Sequence, residues 1–193
     1  RYPTDQIFAE EDGLRSPISE GSVWVIDPID GTNNFVAQKE DFAVMVAYFE
    51  EGQGQFGLIY DVMRDQLFYG GGEFPVYRNE VELTPFVDRP LDTLLMSSNV
   101  GMLEKNEWGM VDLGMKCLGI RVYGSAGISF SKILSGGILA YFSYLWPWDY
   151  AAAAIMGERL GYTVLNLNGD QPNYQTLEPI MMVPKAKLSE IQT

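Results

Sequence analysis

The chain is expected to fold as an α/β protein, a layered α+β sandwich forming a single domain over residues 1–193. Three observations carry that expectation. Short apolar runs separated by Gly, Asp and Asn turn residues fill residues 1–90, the pattern of a mainly antiparallel sheet. From 91 to 193, helical periodicity alternates with strand-like runs, the pattern of an α/β part. Hydrophobic residues make up 47% and charged residues 20% of the chain, enough apolar material for one sizeable core.

In chain order, residues 6–9 read as a short strand running into Glu10-Glu11-Asp12-Gly13, and residues 14–21 as a surface loop. A strand at 22–27, led by Trp24, Val25 and Ile26, ends on Asp27-Pro28-Ile29-Asp30-Gly31-Thr32. There Pro28 fixes its own φ and biases Asp27 toward an extended backbone. Gly31 permits a tight turn, and Thr32, Asn33 and Asn34 can cap the next element. Further strands lie at 42–49, 55–62, 66–69 and 76–79, with Gly70-Gly71-Gly72 as a flexible connection, so that this half reads as a meander of antiparallel strands. In the second half, 94–98 and 119–123 are strands. After Gly124-Ser125, apolar residues recur at Ile128, Phe130, Ile133 and Leu134 up to Gly136-Gly137, which suits a helix. A strand at 138–142 precedes an Ala-rich helix at 149–160 with Gly161 in the stopping position. Strands at 162–165 and 179–183 close the chain.

Composition excludes whole classes of chemistry. There is no histidine, so imidazole bases, Ser-His-Asp triads and His-ligated zinc are excluded. The one cysteine, Cys117, allows no internal disulfide and suits a cytoplasmic home. A cysteine-based phosphatase needs an arginine six residues on, where Tyr123 stands, so Cys117 reads as a small buried hydrophobe. A net charge of −13 argues against nucleic acid as a partner. No apolar run suggests a membrane span.

Three acidic clusters remain: Glu10 to Asp12, Asp27 with Asp30, and Asp149 in Trp148-Asp149-Tyr150-Ala151-Ala152. Each comes after an apolar run or opens a helix. Taken singly, the first is a solvated loop and Asp149 a helix cap. Together they can gather four carboxylates in one pocket, which would repel strongly without cations. Oxygen donors beside free backbone N–H groups suit a hard divalent cation facing a phosphate.

Ala9-Glu10-Glu11, Asp27-Pro28-Ile29-Asp30-Gly31-Thr32 and Trp148-Asp149-Tyr150-Ala151-Ala152 resemble, in order, the three motifs of the inositol monophosphatase family. Gly124-Ser125-Ala126 is similar to its substrate loop. The resemblance implies that fold and a Mg2+-dependent, lithium-sensitive phosphomonoesterase using about two or three Mg2+ ions. Glu10, Asp27 and the Ile29 carbonyl would hold one ion, and Asp27, Asp30 and Asp149 a second. Glu10, Thr32 and Asp27 would be catalytic, with Glu10 and Thr32 handling the attacking water. Asp30, Gly31, Thr32, Gly124, Ser125, Ala126 and Asp149 would bind substrate, the N–H groups of Gly31 and Thr32 meeting the phosphate. The resemblance also implies a homodimer, to which 4 Trp and 9 Met add interface-type residues. It further implies leading helices and an acidic loop ahead of Arg1 that this chain lacks.

Relatives that prefer inositol phosphates carry an acid shortly before Trp-Asp. Ser143 is nearest to that place here, with Tyr144, Leu145 and Trp146 as an apolar wall. Broad activity on phosphomonoesters is therefore expected. The alternatives are a nucleotide phosphatase of the same superfamily, acting on the 2′-phosphate of a nicotinamide dinucleotide or on a bisphosphate nucleotide, and a non-catalytic dimeric interaction module. Aspartyl-nucleophile phosphatases use Asp-x-Asp, whereas two residues separate Asp27 from Asp30.

Overall fold

A computed structural model describes residues 3–11 and 17–191. Asp12 and the start of the loop expected at 14–21 lie outside them. Seven strands form one sheet in sequence order: β1 (Gln6–Ala9), β2 (Ser22–Asp30), β3 (Ala43–Glu50), β4 (Gln53–Asp61), β5 (Gln66–Gly71), β6 (Phe74–Arg78) and β7 (Val81–Glu82). A short helix, α1 (Thr32–Ala37), separates β2 from β3. The chain then enters a five-stranded sheet made of β8 (Leu95–Ser98), β9 (Gly119–Arg121), β10 (Ala140–Leu145), β11 (Tyr162–Asn166) and β12 (Glu178–Pro184), in the spatial order β11-β12-β10-β8-β9. Helices α2 (Val100–Glu104) and α3 (Met110–Lys116) lie between β8 and β9, α4 (Ala126–Leu134) between β9 and β10, α5 (Pro147–Arg159) between β10 and β11, and α6 (Leu188–Ile191) comes after β12.

The layers are set by which faces are apolar. On β12, Ile180 and Met182 join a core shared with α4, α5 and the seven-stranded sheet, while Met181 and Val183 join a second core with Met102, Met110 and Leu113 of α2 and α3. A strand apolar from Pro179 onward is thus buried on both faces, as the period of two requires. Helices α4 and α5 are the filling between two sheets, which is the layered α/β architecture expected.

Helix α5 packs unusually close. Pro147 sits at its first position, where a missing N–H costs nothing, and Ala151, Ala152 and Ala153 are fully buried against the sheet. A Cβ on Gly57 of β4 would lie 2.3 Å from the Ala152 carbonyl oxygen, and one on Gly71 would lie 2.6 Å from that of Ile155. The expectation of a flexible Gly70–Gly72 link is therefore corrected: Gly70 and Gly71 belong to β5, and Gly71 lets the sheet touch the helix backbone.

A second correction concerns β1. It pairs with β2 in parallel, Ala9 opposite Ile26, rather than as part of an antiparallel meander. Parallel pairing sends both strands the same way, so the residues after Ala9 emerge beside those after Ile26. Cys117, expected to be buried, is half-buried at the end of α3. Partial burial, and secondarily the charge of Glu190, raises its thiol pKa. No helix among the described residues is long and apolar enough to cross a membrane.

Candidate metal centre

The geometry starts from a bulge. In a regular strand, residues three apart point to opposite faces. Along β2 and β3, Asp27 pairs with Met45 and Asp30 with Ala43, so three steps on β2 match two on β3. The extra residue is taken up at Pro28-Ile29, where a proline without an N–H is tolerated because the ladder is already broken. The bulge returns Asp30 to the face of Val23, Val25 and Asp27, the buried face of the sheet. The Ile29 N–H donates to Asp27 Oδ1 at 3.0 Å and fixes that carboxylate at the bend.

Helix α5 brings the third acid. The Asp149 carboxylate accepts the Trp146 N–H at 2.7 Å, closing the first turn of the helix. Asp149 is therefore part of the helix cap, at the third position rather than the cap itself. Trp146 and Trp148 stack at 5.2 Å and Trp148 meets Phe8 edge-on at 5.7 Å, which seats the helix start against β1. Carboxylate oxygens of Asp27, Asp30 and Asp149 all lie within 4.8 Å of one another. Glu10 stands outside this triplet, exposed at the end of β1, but close enough for its charge to act on Asp27 and Asp149.

Among the described residues no Lys or Arg forms an ion pair with these acids. Burial first, and then the neighbouring charges of Asp30, Asp149 and Glu10, push the Asp27 pKa up to about 8. Burial and then the charges of Asp30 and Glu10 push Asp149 to about 7, against hydrogen bonds from Trp146 and Asp27. Asp30 is raised by burial despite three opposing hydrogen bonds. Glu10 is raised by partial desolvation of its carboxyl, then by Glu11 and Asp30. Buried carboxylates without cationic side chains are what a hard cation neutralises.

These carboxyls make stability depend on pH. They hold protons more tightly folded than unfolded, so their stabilising contribution is complete below the ordinary carboxyl range and is lost as pH rises through about 7 to 8. In chelator, the melting temperature is expected to fall between about pH 4 and about pH 8 and to level off above that, and Mg2+ is expected to flatten that fall. A pH-independent melting temperature in chelator would contradict this.

The other expected site residues lie around the triplet. Gly31, at φ 82, opens α1. A Cβ there would meet Ser125 Cβ at 2.9 Å and the Asp41 carbonyl oxygen at 3.1 Å. Thr32 is exposed, and its hydroxyl donates to the Ile29 carbonyl at 3.0 Å, linking two residues the sequence assigned to separate roles. Gly124 is exposed, while Ser125 and Ala126 are buried and bond to Asp30. The expectation that Thr32, Asn33 or Asn34 caps the next element is corrected: the cap of α1 is Gly31, without a side-chain cap bond, and Asn34 has another task. Its amide donates to the Tyr123 carbonyl at 2.7 Å and to that of Asp41 at 2.8 Å, tying α1 to the turn before α4. Its signal was the polar residue just inside a turn that already needed a glycine. On β10, Ser143 accepts the Asn99 amide at 3.1 Å, and Tyr144 bonds Glu107.

The family model of the inositol monophosphatase family matches residues 1–191. The inositol-1-monophosphatase of Bacillus subtilis (strain 168) is 35% identical over 175 residues, which are 88% of this chain and 66% of that protein. The chain thus spans slightly less than two thirds of that relative's length. Two crystal structures of the staphylococcal IMPase-II, one with 2′AMP and one with inositol monophosphate bound, are 31% identical to it. They superpose with TM-scores of 0.90 and 0.92, covering 98% and 99% of this chain and 76% of each of theirs. An IMPase/NADP phosphatase complexed with Mg2+ and phosphate is 25% identical, with a TM-score of 0.90 over 99% of this chain and 73% of its own.

Proposed function

The chain belongs to the inositol monophosphatase family, and from that membership we propose that its single domain catalyses Mg2+-dependent hydrolysis of phosphate monoesters, inositol monophosphate or a related sugar or polyol phosphate. The observation that carries the reading is the meeting of Asp27, Asp30 and Asp149, from two distant stretches of sequence, within 4.8 Å. A purely structural cluster has no use for three mutually repelling acids, two of them buried and one partly buried.

The donor set fits Mg2+, since every candidate ligand is a carboxylate or carbonyl oxygen. Asp27, Asp30 and Asp149 would hold one ion, and Glu10, Asp27 and the Ile29 carbonyl another. Bound there, the ions would offset the phosphate's charge and lower the pKa of water. The residues do the rest. Thr32 donates its hydroxyl proton to Ile29, which leaves oxygen lone pairs to accept from a water that Glu10 can deprotonate. Glu10's raised pKa makes it a stronger base than an ordinary glutamate. The N–H groups of Gly31 and Thr32 would hold the phosphate. Family membership supports lithium sensitivity and a homodimer, and composition supports a cytoplasmic enzyme without nucleic-acid or membrane partners.

The test is phosphate release from inositol 1-phosphate, a glycerol phosphate and a nucleoside 2′-monophosphate, with and without Mg2+. Activity is expected only with Mg2+, and kcat/KM for inositol 1-phosphate is expected to exceed the others by less than about a thousandfold, because Ser143 replaces an acid and dedicated polar contacts are needed for larger discrimination. No Mg2+-dependent release from any of them would overturn the reading.

A further inference from the structure

We propose that the Ser125 hydroxyl, together with the first turn of α4, fixes the metal ligand Asp30, so that the Ser125 side chain is a positioning residue of the metal centre. The proposal rests on the Mg2+ reading above and goes beyond it by giving the Ser125 side chain a task at Asp30.

Asp30 is held by a dense set of hydrogen bonds. Its Oδ1 accepts the Ala126 N–H at 3.0 Å, and its Oδ2 accepts the Gly127 N–H at 2.8 Å together with the Ser125 hydroxyl. Ser125 Oγ in turn accepts the Ile128 N–H at 3.1 Å, as the cap of α4. The hydroxyl has a single proton, and it is committed to Asp30. Ser125 is only 4% exposed, so its hydroxyl faces Asp30 and not open solvent.

The close approach is built in on both sides. A Cβ on Gly127 would come within 3.1 Å of Asp30 Oδ2 and 2.7 Å of the Ala43 Cβ. With Gly31 similarly tight against Ser125, Asp30 is clasped between the end of β2 and the start of α4.

The consequence for coordination is specific. A carboxylate offers about four acceptor positions, and α4 fills three of them. The remaining one is on Oδ1. Asp30 is thereby held as a one-oxygen ligand in a fixed orientation. Groups that orient metal-ligating carboxylates affect metal affinity nearly as the ligands do.

The experiment uses the full chain and Mg2+ itself. Calorimetric titration is expected to show Mg2+ affinity lowered by roughly tenfold to a hundredfold in Ser125→Ala, with Ser125→Thr restoring it. Ser125→Gly separates the helix cap from the hydroxyl, since glycine is a tolerated cap residue, and it is expected to lose Mg2+ affinity to the same degree as the alanine variant. KM for inositol 1-phosphate at saturating Mg2+ is expected to stay within about twofold in all of these variants, because binding terms shared by ground and transition states are untouched. Unchanged Mg2+ affinity with a raised KM would show that Ser125 touches the substrate, and would overturn the proposal while leaving the Mg2+ reading in place. Failure of the unsubstituted chain to bind Mg2+ would overturn both.

Discussion

Asp27→Asn is expected to lower kcat by roughly a hundredfold or more, the scale of losing a strong transition-state electrostatic contact, while leaving the fold intact. Asp27 is 1% exposed and is the acid common to both proposed ion sites. Asparagine has the same shape and can still accept the Ile29 N–H that fixes the bend, so only the charge is removed. The same change should raise the melting temperature of the metal-free protein near pH 9, where the carboxyl that titrates at about 8 would otherwise be ionised in a buried place. Gain of stability with loss of turnover is the signature of a carboxylate retained for function. Near-normal turnover, measured by phosphate release at saturating Mg2+, would remove Asp27 from the mechanism.

The second large effect lies away from the acids. Gly57→Ala is expected to cost about 3 kcal/mol or more, within the range of overpacking in a closed core, because its Cβ would sit 2.3 Å from the Ala152 carbonyl oxygen. Neither partner can yield cheaply: one is a central strand and the other the backbone of a helix whose alanines are already as small as a chiral residue allows. Separating them moves α5, and Asp149 with it, away from Asp27. Urea unfolding of the variant should show a lower midpoint, and turnover of the folded fraction should drop. An unchanged midpoint would contradict the close packing of α5 on the sheet.

Much of the site was readable in the sequence because its chemistry is written in contiguous short strings. Asp27, Asp30 and Asp149 each sit in a stretch where proline, glycine or alanine has a stated backbone task, and the three meet as expected. What could not be read were effects of pairing between distant strands. Nothing local shows that β1 runs parallel to β2, although that is why Glu10 comes out beside the end of β2. The bulge that turns Asp30 back to the face of Asp27 exists only relative to β3. Gly71 carries no local sign of the helix above it, nor Gly70 of the β6 backbone beside it, so a glycine run read as slack proved to be contact surface. Helices α2 and α3 escaped notice because each spans little more than a turn or two and left-handed residues at Asn106, Trp108 and Gly109 break the periodicity between them. The motif marks Ser125 as a candidate site residue, but its partner, Asp30, lies 95 positions away.

The most direct test is to place the cation. Mn2+ accepts the same oxygen donors as Mg2+ and scatters anomalously, so a crystal of this chain grown with Mn2+ shows where the ion binds. The expected result is an anomalous peak bounded by the carboxylates of Asp27, Asp30 and Asp149, with a second touching Glu10, Asp27 and the Ile29 carbonyl. Mn2+ bound elsewhere on the chain with nothing between Asp27 and Asp149 would contradict the metal centre and the function built on it.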